Sequence, residues 1–202
     1  QMITFSVILF ILYALIILLA VWGFLFAKNN PNPIQEPEIF RCSIIIPARN
    51  EAENILQCLA SIERQNTDHI QYEIIVLDDF SEDDTARVVT SFFQHNPTGR
   101  LIRLAEFIPD RNAINSFKKK AIEIGVAHAA FEWIVQTDAD CTMEENWLQT
   151  LAHHARNDQI HFLAAPVVLT GGGTSFFQKL LYGFQSIDFM TMQGITVATH
   201  YF

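Results

Sequence analysis

The first 27 residues form the most apolar stretch of the chain. Residues 2–27 carry no charged side chain, and almost every position is aliphatic or aromatic. As a helix they would extend about 39 Å, which exceeds the roughly 30 Å hydrocarbon core of a bilayer. They lack the basic start and the small residues at a cleavage site that mark a signal peptide. We therefore predict an uncleaved transmembrane helix at residues 1–27, with a buried core helix as the alternative.

The segment after this stretch predicts an orientation. Its first charge is Lys28, followed by Arg41 and Arg49, and basic residues favour the cytoplasmic side of a membrane. Residues 28–40 contain three prolines, which fix φ and remove hydrogen-bond donors. We predict a single-pass membrane protein with a Pro-rich linker at 28–40 and a cytoplasmic catalytic domain at 41–202.

Apolar runs and helical periodicity alternate along this domain. Runs typical of buried strands occupy residues 42–48, 72–77, 100–104, 133–137 and 161–169. Helical spacing occupies residues 51–65, 81–93, 117–131 and 147–155. Ser81, three residues before Asp84, is expected to open its helix much like a capping box. The alternation predicts an α/β fold with a mostly parallel sheet.

The last segment, residues 175–202, is rich in Phe, Leu and Met and has few charges. A core helix is the default prediction for it. An interfacial membrane helix is the alternative, because the first helix already holds the domain at a bilayer.

Polar side chains follow three of the predicted strands. They are Arg49, Asn50 and Glu51 after the first, Asp78 and Asp79 after the second, and Asp138 and Asp140 after the fourth. In open α/β sheets, ligands bind beyond the carboxyl ends of the strands. The pattern therefore predicts one binding site at this edge.

Asp138 and Asp140 suggest what that site contains. Two carboxylates one residue apart are hard oxygen ligands that suit Mg²⁺ or Mn²⁺. A metal there would bridge a diphosphate and stabilise it as a leaving group. The alternative is a simple turn in which an Asp caps the next helix. No glycine-rich dinucleotide or P-loop motif is present.

Net charge and cysteine content limit the classes of partner and the cellular compartment. With 13 basic and 22 acidic residues the formal net charge is −9, which argues against nucleic acid as a partner. The three cysteines are far apart. They fit neither a zinc site nor a disulfide framework, so a reducing compartment is expected.

Four blocks in order, SIIIPARNE, IVLDDFSEDDTARVV, KKKAIEIG and WIVQTDADCTMEENWL, resemble the nucleotide-binding half of family-2 glycosyltransferases with the GT-A fold. The resemblance covers roughly residues 41–169. It implies a Rossmann-like, mostly parallel sheet and a nucleotide-sugar site. The uridine pocket would be lined by Pro47, Ala48, Arg49, Asn50, Glu51 and Asp78, with Asp79 nearby. Lys118 or Lys119 would approach the nucleotide, Asp138 the sugar or ribose, and Asp140 would be the main metal ligand.

The resemblance also implies a reaction. A UDP-sugar would donate its sugar, with inversion, to the hydroxyl of a glycan or lipid acceptor that a carboxylate base deprotonates. Glu123 departs from the family, which usually has Asn at that place. The chain ends 202 − 140 = 62 residues after Asp140. The domain is therefore expected to be C-terminally incomplete, with the general base beyond Phe202, and Asp188 is interpreted as a helix-surface residue.

Two other functions stay open. One is a catalytically inactive, membrane-tethered domain that binds nucleotides or serves as a scaffold. The other is a phosphatase, because Asp138 to Thr142 also fits a D-x-D-x-T motif whose first Asp is a nucleophile. That motif normally follows the first strand of its fold, whereas here it follows the fourth.

Overall fold

The computed structural model of the chain describes residues 2–26, 38–108, 116–156, 161–165, 167–168 and 175–199. The chain divides into two compact units. One is Ile34–Asp158, and the other combines Gln1–Pro33 with Gln159–Phe202. The predicted linker falls largely outside the described residues, since only residues 38–40 of it are described.

The unit Ile34–Asp158 is built on a four-stranded sheet. Its strands are β1 (Phe40–Ala48), β2 (Ile70–Asp78), β3 (Gly99–Arg103) and β4 (Trp133–Gln136). They lie in the order β3-β2-β1-β4, and every neighbouring pair is parallel. The connecting helices are α2 (Ile55–Glu63), α3 (Thr85–His95), α4 (Phe117–Ala127) and α5 (Trp147–Ala155), with a short 3₁₀ helix at Leu104–Glu106. This arrangement confirms the predicted α/β class.

The register of the strands brings their carboxyl ends to one edge. Ala48 at the end of β1 lies opposite Asp78 at the end of β2, and Asp78 lies opposite Arg103 at the end of β3. On the other side of β1, Gln136 at the end of β4 pairs with Ile45. The turns that leave β1, β2 and β4 therefore begin close together.

Both faces of the sheet are buried. On one face a cluster joins the sheet to α4 and the 3₁₀ helix: Ile45, Ile75, Leu77, Ile102, Leu104, Ile108, Ala121 and Ile124. Successive strand residues point to opposite faces, and the alternate residues Ile44, Ile46, Ile74 and Val76 are also buried. Gly125 lets α4 approach closely, because a Cβ there would lie 2.9 Å from Ile45 Cγ2.

A polar network crosses the sheet near the starts of the strands. The Ser43 hydroxyl donates to Glu73 Oε1 at 2.6 Å and accepts from the Phe131 amide at 3.1 Å. The amide of Ala130 also donates to Glu73 Oε1. Arg100 forms an ion pair with Glu73 Oε2 at 3.1 Å. The network ties the loop between α4 and β4 to the sheet, on the side away from the predicted site.

Several predicted elements differ in the structure. The helix expected at 51–65 spans Ile55–Glu63, the one expected at 81–93 spans Thr85–His95, and the one expected at 117–131 ends at Ala127. In the turn before Ile55, the amides of residues 50–52 donate to side chains of residues 81–85. The fifth strand predicted at 161–169 is wrong for the part of it that is described, since residues 161–165 and 167–168 form no strand. An apolar run becomes a strand only if a neighbour pairs with its backbone, and Pro166 removes one of the donors that pairing needs.

The second unit contains α1 (Met2–Phe26) and α6 (Phe176–Thr199), which contact each other. Along α6 six large apolar side chains are more than half exposed: Phe176, Phe177, Leu180, Leu181, Phe184 and Ile187. The default prediction of a core helix is therefore wrong for the described side chains of α6. The interfacial alternative stays a prediction.

One helix among the described residues, α1, is long and apolar enough to cross a membrane, over Thr4–Trp22 (19 residues). Buried core helices and signal sequences satisfy the same criterion of length and composition. In α1 almost all described side chains are exposed, with Ala20 buried.

Candidate functional site

The turn after β2 presents two buried carboxylates at the carboxyl edge of the sheet. Asp78 and Asp79 are each only 7% exposed. Asp78 Oδ1 accepts a hydrogen bond from the Ser81 amide at 3.2 Å, and the Asp79 amide donates to the Ala48 carbonyl at 2.8 Å. These bonds fix the second turn against the end of β1. Burying a carboxylate costs free energy unless hydrogen bonds or a cation compensate for the lost water. Asp78 and Asp79 are therefore candidates for a binding role.

The first turn, residues 49–52, is held by the second. The Asn50 amide donates to Ser81 Oγ at 3.1 Å, and the Glu82 amide donates back to Asn50 Oδ1 at 2.8 Å. Asn50 has a φ of 55°, a left-handed conformation that Asn tolerates better than most residues. The reciprocal bonds stabilise this conformation and join the two turns.

Two further side chains complete the link between the turns. The Glu51 amide donates to Thr85 Oγ1 at 2.8 Å, and the Ala52 amide donates to Asp83 Oδ2 at 3.1 Å. Thr85 is fully buried, and its amide donates to Asp83 Oδ1 at 3.0 Å. The side chains of residues 81–85 thus replace the intrahelical partners that residues 50–52 lack.

This arrangement corrects the predicted capping box. The helix begins at Thr85, and its N-cap residue Asp84 makes no side-chain capping bond. Ser81 accepts from Asn50 instead of from its own helix. Sequence reasoning missed the roles of Asp83 and Thr85. The signal was the run Ser-Glu-Asp-Asp-Thr after a strand, whose short oxygen-bearing side chains serve a neighbouring turn as readily as a helix start.

Phe80 connects the second turn to α4. Its φ is 53°, which is a genuine outlier for a bulky side chain. Its ring meets that of Phe117, at the start of α4, edge to face with centroids 6.0 Å apart. The strained backbone therefore places an aromatic contact beneath the helix that carries Lys118.

The turn after β4 carries the two carboxylates predicted to bind metal. Asp138 and Asp140 are exposed, whereas Ala139 between them is 3% exposed. Lys118 Nζ lies 2.7 Å from Asp138 Oδ1. Asp140 Oδ1 has a long contact of 3.8 Å with the Cys141 thiol. The structure therefore brings Lys118 and Asp138 together.

The other predicted residues around α4 are less engaged. Lys119 is exposed and, together with Lys118 and Glu123, lines a shallow groove along α4. Glu123 forms an ion pair with Lys120 at 3.0 Å, and its hydrogen bond to Lys120 lowers the pKa of its carboxyl.

The predicted residues at the end of β1 differ in exposure. Pro47 is half-buried, Ala48 is buried and Arg49 is exposed.

The buried Cys58 thiol on α2 contacts the turn after β4, since it lies 3.7 Å from the Asp138 carbonyl oxygen. Burial and, as smaller causes, the nearby negative charges of Cys141, Asp140, Asp138 and Glu51 together raise the pKa of this thiol to about 12. Because α2 follows the first turn, this contact joins the helix after β1 to the turn that carries the two aspartates.

The donor set fits a divalent cation that is shared with a ligand. Within the described parts of the chain no group of three or more His, Cys, Asp or Glu side chains is arranged to hold a metal alone. Mg²⁺ is commonly bound through one or two carboxylates plus substrate phosphates, and Asp138 with Asp140 supplies such a pair. Because Lys118 already pairs with Asp138, Asp140 is the more available carboxylate of the two.

Comparison with known proteins identifies the family. Glycosyl transferase family 2 matches residues 43–202. Dolichyl-phosphate beta-glucosyltransferase of Trichomonas vaginalis is 30% identical over 129 residues, covering 57% of this chain and 36% of the relative. 4,4'-Diaponeurosporenoate glycosyltransferase of Staphylococcus aureus is 30% identical over 157 residues, covering 77% of this chain and 38% of the relative.

A solved structure shares the fold. The mannosyltransferase of Pyrobaculum calidifontis superposes with a TM-score of 0.54 at 24% identity, covering 71% of this chain and 40% of that one. The predicted GT-A fold is thereby confirmed. The chain spans a little over a third of the length of the two curated relatives. On the match over residues 43–202, this chain belongs to glycosyl transferase family 2.

Proposed function

We propose that the chain carries the donor-binding half of a metal-dependent, inverting glycosyltransferase that uses a UDP-sugar. One observation carries the proposal. Three turns that leave neighbouring parallel strands lie at one edge of the sheet and carry two buried and two exposed carboxylates, one of which pairs with Lys118 of α4. This combination suits a ligand that has both a polar nucleoside and a diphosphate.

The second turn would bind the nucleoside. Asp78 is buried, and one of its oxygens is already held by a hydrogen bond from the Ser81 amide. Its remaining lone pairs can accept from the uracil N–H or the ribose hydroxyls. Asp79 would support the same pocket. Pro47 to Glu51, which end β1 and begin the first turn, would form the opposite wall of the nucleoside pocket. Ser81 and Thr85 hold the amides of Asn50 and Glu51 in place there.

The turn after β4 would bind the diphosphate and the sugar. Asp140 is the proposed main ligand of Mg²⁺ or Mn²⁺, with Asp138 assisting it or contacting the sugar or ribose. Such an ion, when bound, neutralises charge on a departing diphosphate. Lys118 keeps Asp138 oriented and adds a positive charge on the same side, with Lys119 beside it. The Pyrobaculum neighbour was solved with GDP-Man and Mn²⁺, although the proposal for this chain rests on its own carboxylates.

The acceptor half of the reaction would use other residues. An acceptor hydroxyl needs a carboxylate base within hydrogen-bond reach, which contributes about 10²–10⁴ in rate. We propose that this base is a carboxylate outside the donor-binding turns, following the family resemblance. The curated relatives are named for dolichyl phosphate and 4,4'-diaponeurosporenoate, and a lipid or a glycan is the acceptor class proposed here.

We also propose that α1 anchors the protein in a membrane, with the α/β unit in the cytoplasm. The uncharged and mostly apolar side chains of α1 and the basic residues that follow it support this. Resistance of the protein to carbonate extraction from membranes is the expected result. Its appearance in the soluble fraction without detergent would contradict the proposal.

A panel of nucleotides tests the donor assignment. Calorimetry with UDP, GDP, ADP and CMP, each with and without Mn²⁺, should show tightest binding for UDP with Mn²⁺. An equal response to all four nucleotides would contradict a uridine pocket. Donor binding without sugar transfer to any lipid or glycan acceptor tested would favour the inactive scaffold instead.

A further inference from the structure

Helix α2 carries a line of buried polar side chains where an apolar face is expected. Cys58, Ser61 and Gln65 are spaced i, i+3 and i+7, so they share one side of the helix, and Gln65 follows directly on its last turn. They are 0%, 1% and 6% exposed. Buried polar groups normally form hydrogen bonds, so each of these three side chains is expected to have a partner.

Gln65 bonds to the segment that follows Asp140. Its Nε2 donates to the Glu144 carbonyl at 2.6 Å and to the Ser61 carbonyl at 3.1 Å. Its Oε1 accepts from the Leu148 amide at 3.0 Å. The Leu148 amide lies in the first turn of α5, where backbone donors have no partner within the helix. One side chain therefore fixes both the loop and the start of α5.

Ser61 and Cys58 hold the same segment further upstream. The Met143 amide donates to Ser61 Oγ at 3.1 Å. The Cys58 thiol donates to the Asp138 carbonyl at 3.7 Å, and the Cys141 amide donates to that same oxygen at 3.2 Å. The contacts that these side chains make to residues 138–148 are mostly to the backbone, with one further contact from Ser61 Oγ to Met143 Sδ at 3.3 Å. The line of side chains therefore constrains the path of the loop without bonding to the carboxylates of Asp138 and Asp140.

We infer that Ser61 and Gln65 are positioning residues that hold the loop bearing Asp138 and Asp140 in its ligand-binding conformation. The inference rests on the proposed function of those two aspartates. Both residues are buried beneath the loop and stand outside the proposed set of ligand-binding side chains. Removing a partner that orients a metal-binding group typically lowers metal affinity about 10–100-fold, and the same range is expected here.

The test compares four forms of the full chain: the parent, Gln65→Met, Ser61→Ala and the control Gln57→Met. Met matches Gln in length but makes no hydrogen bonds, and Gln57 is exposed on the same helix. The first readout is hydrogen exchange at the Cys141 amide, whose own partner is altered in none of the variants. The second is the Mn²⁺ concentration that gives half-maximal UDP binding, compared with UDP affinity in the absence of metal.

The expected result is faster exchange at Cys141 in Gln65→Met and Ser61→Ala, with exchange in β1 and β2 unchanged. The half-saturating Mn²⁺ concentration should rise at least about tenfold, while metal-free UDP affinity and the Gln57→Met control stay at the parent values. Unchanged exchange at Cys141 in a folded variant overturns the inference, as does an unchanged Mn²⁺ requirement. If Gln65→Met does not fold, Ser61→Ala decides. Failure of the parent to bind UDP refutes the proposed function alone, and the exchange readout then still decides the inference.

Discussion

Lys118 Nζ lies 2.7 Å from Asp138 Oδ1, which connects the first turn of α4 to the turn after β4. The two side chains are 57% and 50% exposed, and an exposed pair of this kind contributes only about 0–1 kcal/mol to folding stability. The ion pair therefore matters for the site and not for folding stability. It neutralises Asp138 and leaves Asp140 available for a cation.

Lys118→Met should change metal binding in the nucleotide-free protein. Asp138 loses the cation that competes for its carboxylate, so the affinity for Mn²⁺ should rise, by at most about fivefold for an interaction of about 1 kcal/mol. Titration of Mn²⁺ followed by electron paramagnetic resonance measures this. Lys120→Met is the control, because Lys120 pairs with Glu123 at 3.0 Å. An affinity that is lower than the parent's, or unchanged, would contradict this role for Lys118.

Asp78 should determine nucleotide affinity independently of metal. Asp78→Asn keeps an oxygen that can accept from the Ser81 amide, so the turn should survive, but the variant loses the carboxylate. UDP binding should weaken by about 1–3 kcal/mol with or without Mn²⁺, as measured by calorimetry. Asp78→Ala should also lower the melting temperature, since the Ser81 amide then loses its acceptor.

Glu82→Gln is the matched control for Asp78, because Glu82 is an exposed carboxylate in the same turn. It should bind UDP like the parent. If Asp78→Asn does the same, the nucleoside pocket lies elsewhere.

The strands and most helices could be predicted from the sequence, because their signals are local. The run at 42–48 predicts β1, which extends from Phe40 to Ala48, and α5 matches its predicted range at both ends. Buried parallel strands are continuous apolar runs, and such runs are hard to mistake. The convergence of the polar turns was also predictable, since carboxyl ends of parallel strands share one edge.

The remainder depended on long-range contacts. Ser81 has the spacing of a helix cap, yet it bonds to Asn50, 31 residues away. Gln65 has no local feature that marks it, because its partners Glu144 and Leu148 lie about 80 residues further on. The strand predicted at 161–169 is absent from the described residues 161–165 and 167–168 for the same reason, as a strand needs a partner that its own residues do not specify.

Glu73 should matter for stability and not for binding. It accepts hydrogen bonds from Ser43 Oγ and the Ala130 amide, and it pairs with Arg100. Glu73→Ala removes this acceptor from the Ser43 hydroxyl and the Ala130 amide and removes the ion pair of Arg100, which keeps the His128 carbonyl as a partner. The free energy of unfolding should therefore fall by roughly 1–3 kcal/mol. Urea denaturation measures the loss.

The folded fraction of Glu73→Ala should still bind UDP like the parent. Glu73 precedes Asp78 by five residues of extended strand, about 16 Å. A variant that is stable but defective in UDP binding would contradict this separation between the two edges of the sheet.

Buried thiols should make the protein less stable at alkaline pH. Burial raises the pKa of Cys42, and burial with nearby negative charge raises that of Cys58, each from 9.0 to about 12. Between about pH 9 and 12 the folded protein keeps protons that the unfolded chain has lost. The stabilisation is complete below pH 9 and is lost as the pH rises, at about 1.4 kcal/mol per pH unit for each thiol.

Urea unfolding at several pH values between 8 and 11 tests the alkaline effect. Cys42→Ala and Cys58→Ala should each show a shallower decline in the free energy of unfolding than the parent, whatever their stability at pH 8. Parallel declines in all three proteins would contradict the assignment.

The central claim is that Asp140 binds the cation that joins the diphosphate to this protein. Its most direct test is calorimetry of UDP binding, with and without Mn²⁺, to the parent, to Asp140→Ala and to the control Glu144→Gln, which alters an exposed carboxylate of the same loop. Mn²⁺ should raise the UDP affinity of the parent and the control at least about tenfold, which corresponds to about 1.4 kcal/mol. Asp140→Ala should fold like the parent, because its side chain is exposed, and should lose that gain. A full Mn²⁺-dependent gain in Asp140→Ala would contradict the account.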